Sequence, residues 1–260
     1  MEPIAIQTIY EAMTRIAPPE LAESWDNPGL LVDCGRPAAR ALTALDITPA
    51  VVEEARRLDC GVIVAHHPVI FTPLKRMDRR DVPFLLAEAG ISAICMHTNF
   101  DAAEGGVNDT LAGILGMTDT APIANGCGRV GAIEPCTVPA LAALAAERLG
   151  GFCVPPLAGP AVQVKYADNG RPVRRLAVIS GSGGSLLEEA LAAGADCLLT
   201  GEAGHHHAID AARLGLGLVA AGHYATEYPA AAALAARLQQ EVPGLAVFAS
   251  RENRDPFTYL

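Results

Sequence analysis

The chain has 260 residues, 51% of them apolar and 18% charged, which gives ample length for a core and excludes a disordered segment. A net charge of −10, with Lys75 and Lys165 as the two lysines, excludes the clustered basic surface of a large nucleic-acid footprint. No apolar run approaches the roughly 18–20 residues needed to span a membrane. The opening MEPIAIQTIYEAM lacks the basic flank and apolar stretch of a signal peptide, so a cytoplasmic protein is expected.

Helix and strand signals alternate along the chain. Ile6, Ile9, Met13 and Ile16 recur at helical spacing within 4–17, and Pro18-Pro19 ends the pattern. Short strands are expected at 29–33 and 41–46, then a helix from Pro49 to Leu58 and a strand at 61–65. A helix near 80–89 leads to a strand at 91–96, and Gly105-Gly106 opens a helix that closes at Gly116. Beyond it, strands are expected near 129–133, 162–166, 174–179, 196–200, 217–221 and 245–249. Helices are expected at 138–149, 184–193, 204–214 and 229–241. Alternation at this spacing predicts α/β units with largely parallel, mixed sheets.

All seven histidines fall in four short clusters: His66-His67, His97, His205-His206-His207 and His223. Each follows an apolar strand candidate, GVIVA, ISAICM, DCLLT (after a turn) and LGLVAA. Asp101 follows His97, and Glu227 follows His223, by four residues at the start of a helix, where a carboxylate gains from the helix dipole. In open α/β sheets, ligands bind beyond the carboxyl ends of the strands. Imidazoles and carboxylates gathered there are the donors of a transition-metal site. Five of them, His66, His67, Asp101, His223 and Glu227, exceed one tetrahedral structural zinc and do not saturate two ions. Open positions of that kind point to catalysis or reversible binding.

An internal duplication aligns 42–67 with 176–202, the Glu-Glu-Ala triplets 53–55 and 188–190 fixing the register. His66 and His67 then correspond to Gly201 and Glu202. A second pairing sets 95–101 against 221–227, matching His97 to His223 and Asp101 to Glu227, with a shift that differs by nine residues.

Several features have a plainer reading. His97 alone reads as a hydrogen-bonded residue behind the ligands. Three consecutive histidines on a helix point in different directions, so one of His205–His207 is expected at the cleft and the others in solvent. The loop Gly181–Ser185 lacks a Walker lysine and reads as a tight turn before an anion cradle. Arg79-Arg80, beside Asp78 and Asp81, reads as a solvated helix start. The cysteines, seven without a C-x-x-C pair, read as free thiols in a reducing compartment.

The segments SWDNPGLLVD (24–33), ALDIT (44–48), AHHPVIFTPLKR (65–76), HTNFDAAEGGVNDTLA (97–112), GCGRVG (126–131), TGEAGHHHAIDAA (200–212) and GHYATE (222–227) resemble the Nif-three-like, or YbgI-type, family. Its members are often named GTP cyclohydrolase I type 2 homologs. The resemblance runs in order over nearly the whole chain. It implies two interlocked, pseudo-symmetric α/β lobes, 1–125 with 222–260 and 126–221, with a metal cleft between them and a toroidal homohexamer. It also implies two divalent ions per subunit (zinc, iron, manganese or nickel) held by His66, His67, Asp101, His223 and Glu227. His97, Glu202, His206 and Asp26 would stand just behind those ligands. The family label implies hydrolytic opening of a purine ring. The broader expectation is a metal-dependent hydrolase of a small, nucleotide-like molecule; the alternative is a non-enzymatic hexameric metal-binding, storage or scaffold protein.

Overall fold

The computed structural model describes residues 2–154 and 160–259. In chain order the elements are α1 (Ile6–Ile16), β1 (Gly29–Val32), β2 (Arg40–Ala44), α2 (Pro49–Arg57), β3 (Val62–Ala65), α3 (Val82–Ala89), β4 (Ser92–Cys95), α4 (Thr98–Ala102) and α5 (Val107–Ile114). They continue with β5 (Thr118–Ile123), β6 (Gly128–Cys136), α6 (Val138–Gly150), β7 (Lys165–Ala167), β8 (Val173–Ile179), α7 (Leu187–Ala192) and β9 (Cys197–Thr200). The last are α8 (His205–Leu214), β10 (Gly217–Ala220), α9 (His223–Glu241) and β11 (Ala246–Ala249).

The chain forms two compact units, each assembled from two stretches: 1–104 with 231–253, and 105–230 with 254–260. The first division falls between Glu104 and Gly105, with α5 packed against β6 and β8 and β5 paired with β6 in the second unit. The second falls inside α9, after Ala230.

The first unit holds a five-stranded sheet of order β1-β4-β3-β2-β11. Its strands are parallel except β1, which runs antiparallel to β4 along one edge. The runs VIVA and SAIC are buried on both faces, as central parallel strands must be. Helix α2 begins where Thr48 Oγ1 accepts from Val51 N at 3.3 Å and Pro49 takes the first turn. Its Val51, Val52 and Ala55 pack with Leu42, Ile63 and Leu86. A buried Val, Leu or Ile contributes roughly 1.5–3 kcal/mol.

The second unit holds a six-stranded sheet of order β5-β6-β8-β9-β10-β7. Strands β8, β9 and β10 are parallel, and β5, β6 and β7 run antiparallel to their neighbours. Its core gathers Val130, Ala177, Ile179, Leu187, Leu198 and Leu218.

The four strands β1-β4-β3-β2 and the four strands β7-β10-β9-β8 follow one plan, an antiparallel edge beside three parallel strands joined through helices. Hydrogen bonds fix the correspondence. Gly61 N donates to Arg40 O as Asp196 N donates to Arg175 O, and Met96 N donates to Ala65 O as Ala221 N donates to Thr200 O. By these ladders His97 corresponds to Gly222, one residue from the His223 that the motifs suggest. Both stand immediately before a helix, His97 before α4 and Gly222, at φ +92°, before α9, and each carbonyl accepts the amide four residues on, from Asp101 N and Thr226 N.

Candidate metal centre

In the first unit the donors stand just past the carboxyl ends of β3 and β4. The ladder runs on beyond β3, with His66 N donating to Ala44 O at 3.2 Å and His67 N to Leu45 O at 2.9 Å. Each of three imidazoles then places Nδ1 on an acceptor: His66 on Met96 O at 2.8 Å, His67 on Asp46 Oδ1 at 2.7 Å and His97 on Asp26 Oδ1 at 2.7 Å. A carbonyl or carboxylate can only accept, so Nδ1 carries the proton and Nε2 is the lone-pair nitrogen of each neutral ring. Ring centroids are 5.1 Å apart for His66 and His67 and 5.2 Å for His66 and His97. One donor atom of each of the three lies within 4.8 Å of the others, close enough to hold a metal ion. Asp101 Oδ1 lies 3.7 Å from His66 Nε2. The imidazole donors, with their outer nitrogens tied to carboxylates and a carbonyl, suit a transition-metal ion.

Asp26 is fastened from several sides. It accepts from Thr98 N at 2.9 Å and Thr98 Oγ1 at 2.6 Å besides His97. Burial alone would raise its pKa, but the hydrogen bonds from His97 and Thr98 outweigh that and hold the carboxyl well below the usual range.

In the second unit, His223 opens α9. Its Nε2 lies 3.0 Å from Glu227 Oε2 one turn on, and its Nδ1 lies 3.4 Å from Glu202 Oε1. Ser182 Oγ donates to Glu202 Oε2 at 2.7 Å. Glu227 is buried, and Gly181 approaches so near that a Cβ there would strike the Glu227 carboxylate. The Gly181–Ser185 loop is the tight turn the sequence suggested: Gly181 N donates to Thr226 Oγ1 and Gly183 N to Thr200 Oγ1, so these amides are spent within the fold.

His207 Nδ1 accepts from Gly204 N at 3.1 Å and so serves the start of α8. His205 and His206 are exposed, the His206 ring packing 3.9 Å from that of His207. Arg79 and Arg80 are exposed, Arg80 pairing with Asp78 at 3.0 Å. All seven cysteines are free thiols. Among the described residues, no helix is long and apolar enough to cross a membrane.

Three residues with a visible part in the site carried no role in the sequence reading. Asp46, inside ALDIT, is the partner of His67. Trp25 and Phe71 are exposed aromatics whose rings lie 6.1 and 6.2 Å from that of His97 and 6.0 Å from each other. Each sits within a quoted motif, Asp46 in ALDIT, Trp25 beside Asp26 and Phe71 in the HHP segment, and that membership was the available signal.

An α/β chain of two such units carries histidines and carboxylates at its strand ends that could hold metal ions. Residues 4–256 match the Duf34/NIF3 (NGG1p interacting factor 3) family, and the chain belongs to that family. It is 37% identical over 238 residues to a Nostoc protein named GTP cyclohydrolase 1 type 2 homolog, covering 84% of this chain and 88% of the relative. It is 36% identical to the Schizosaccharomyces pombe protein NIF3 homolog, covering 80% of each. The solved structure of the Staphylococcus aureus hypothetical protein SA1388 superposes with a TM-score of 0.86 at 26% identity, over the whole of both chains.

Proposed function

We propose that the chain binds two divalent ions through His66, His67, Asp101, His223 and Glu227. On this reading it is a metal-dependent hydrolase of a small, nucleotide-like molecule. The observation that carries the reading is the arrangement of His66 and His67, each with Nδ1 on an acceptor, with Asp101 Oδ1 3.7 Å from His66 Nε2. Structural zinc sites close their coordination with four protein ligands, whereas five donors for two ions leave positions for water and substrate. The bound ions would lend Lewis acidity, activating water and polarising a substrate oxygen.

The chain's own residues supply the rest. Asp46 and Asp26 hold the rings of His67 and His97 by their Nδ1 protons, which fixes both tautomers. Glu202 is a carboxylate beside His223, suited to accept a proton. Trp25 and Phe71 offer aromatic faces beside His97 on which a planar base can stack. The names carried by relatives are consistent with a nucleotide substrate. A ring of six copies, also part of this reading, would be checked by light scattering.

The test is a screen of phosphoesters, cyclic amides and purine nucleotides with zinc, iron, manganese or nickel supplied. The reading expects one class to be consumed only with metal, and consumption to fall at least about a hundredfold in Asp101→Asn. A screen with nothing above the metal-free background would favour storage or scaffolding.

A further inference from the structure

We infer that Asn253, in the segment after β11, is a positioning residue for His67 and acts through Asp46. The inference rests on the reading of His67 as a metal ligand.

Strand β11 pairs with β2 as far as Ala249 and Thr43, and Ser250 N donates to Thr43 O at 2.8 Å. Past that point, among the described residues, no strand lies along this side of β2 to receive its amides. The side chain of Asn253 takes over: its Oδ1 accepts from Leu45 N at 2.5 Å and from Asp46 N at 3.1 Å. On the other side of the same stretch, Ala44 O and Leu45 O accept from His66 N and His67 N. Residues 44–46 are thus gripped between Asn253 and the two histidines, and the Asp46 carboxylate is aimed at His67 Nδ1.

Asn253 is itself held in place. Glu54, the second residue of the Glu53-Glu54-Ala55 triplet, is buried and receives Ser250 Oγ at 2.5 Å, Arg251 N at 3.0 Å and Glu252 N at 3.3 Å. Asn253 N in turn donates to Ser250 Oγ at 3.2 Å. A buried carboxylate spent on consecutive backbone amides fixes a loop, and the residue at its end is 1% exposed. Strand-end geometry some 200 residues away in sequence thereby sets the orientation of one imidazole.

The experiment measures Zn²⁺ affinity by competition with a chromophoric chelator, on the full chain, for wild type, Asn253→Ala, Asp46→Ala and the double variant. Loss of an outer partner of a ligating histidine costs roughly ten- to hundredfold in affinity. We expect a loss of that size in each single variant and no further loss in the double variant, because both act on His67 by one route. Should Asn253→Ala not fold, Asn253→Gln replaces it, keeping the amide while displacing its oxygen, with the same expectation. Losses that add, or wild-type affinity in the Asn253 variant, would overturn the inference. A wild-type chain that binds no Zn²⁺, or one indifferent to His67→Ala, would instead overturn the metal reading on which it rests.

Discussion

The carboxylate of Asp26 accepts from Nδ1 of His97 at 2.7 Å, although 71 positions of sequence separate the two. The same carboxylate takes both the amide and the hydroxyl of Thr98, so one side chain ties the loop before β1 to the start of α4. Without it, His97 has no fixed tautomer and Thr98 loses its acceptor.

Asp26→Ala should therefore destabilise the metal-free protein by about 1–3 kcal/mol at pH 7. Because folding depresses the Asp26 pKa, its stabilisation is present above the ordinary carboxyl value near 3.8 and is lost as pH falls below it toward the folded value. Urea titrations in chelator should show the full gap between wild type and variant at pH 5–7, narrowing only under stronger acid. A gap that widens on acidification would contradict this assignment.

Gly181→Ala should cost both stability and the donor set of the second unit. Its φ of +57° is a left-handed conformation, and the added Cβ would collide with the carboxylate of Glu227. A loss of about 1–3 kcal/mol is expected in thermal melts, together with weaker metal binding. Gly170→Ala is the comparison: it has a similar φ of +69° and open space around its Cβ, so it should lose stability without touching metal affinity.

The thiols should be inert in the native state. Burial pushes Cys60, Cys95 and Cys153 up to about 12, and Cys197 rises further by the same cause. A colourimetric thiol reagent at pH 8 should leave these four unmodified for as long as the protein stays folded, and reach all seven cysteines after denaturation. Rapid native labelling of Cys95 would show that the first unit opens far more readily than its packing implies.

Much of this was legible in the sequence, for identifiable reasons. The spacing of Ile6, Ile9, Met13 and Ile16 gives α1 because those side chains are the ones that fold inward. The buried runs VIVA, SAIC, CLLT and GLVA are legible as strands through their flanking turns. Helix α9 starts six residues before the expected position. Pro229 reads as a first-turn proline, yet the chain is already helical from His223. Strand β5 was not legible at all: TDTAPI is exposed, contains a proline and lies at a sheet edge, where no alternation of apolar residues is required. In the site, histidines announce themselves by type and by strand end. Asp46 and Asn253 do not, because their roles arise from pairing between distant strands that composition does not encode.

The central claim is that this chain's histidines and carboxylates hold metal, and elemental analysis tests it most directly. Protein purified without added metal, or dialysed against divalent salt and then freed of excess, should carry close to two transition-metal ions per chain by our account. The His66→Ala/Glu227→Ala variant, still folded by circular dichroism, should carry almost none. A wild-type chain with no bound ion after such dialysis, or a double variant that retains the wild-type metal content, would contradict the account.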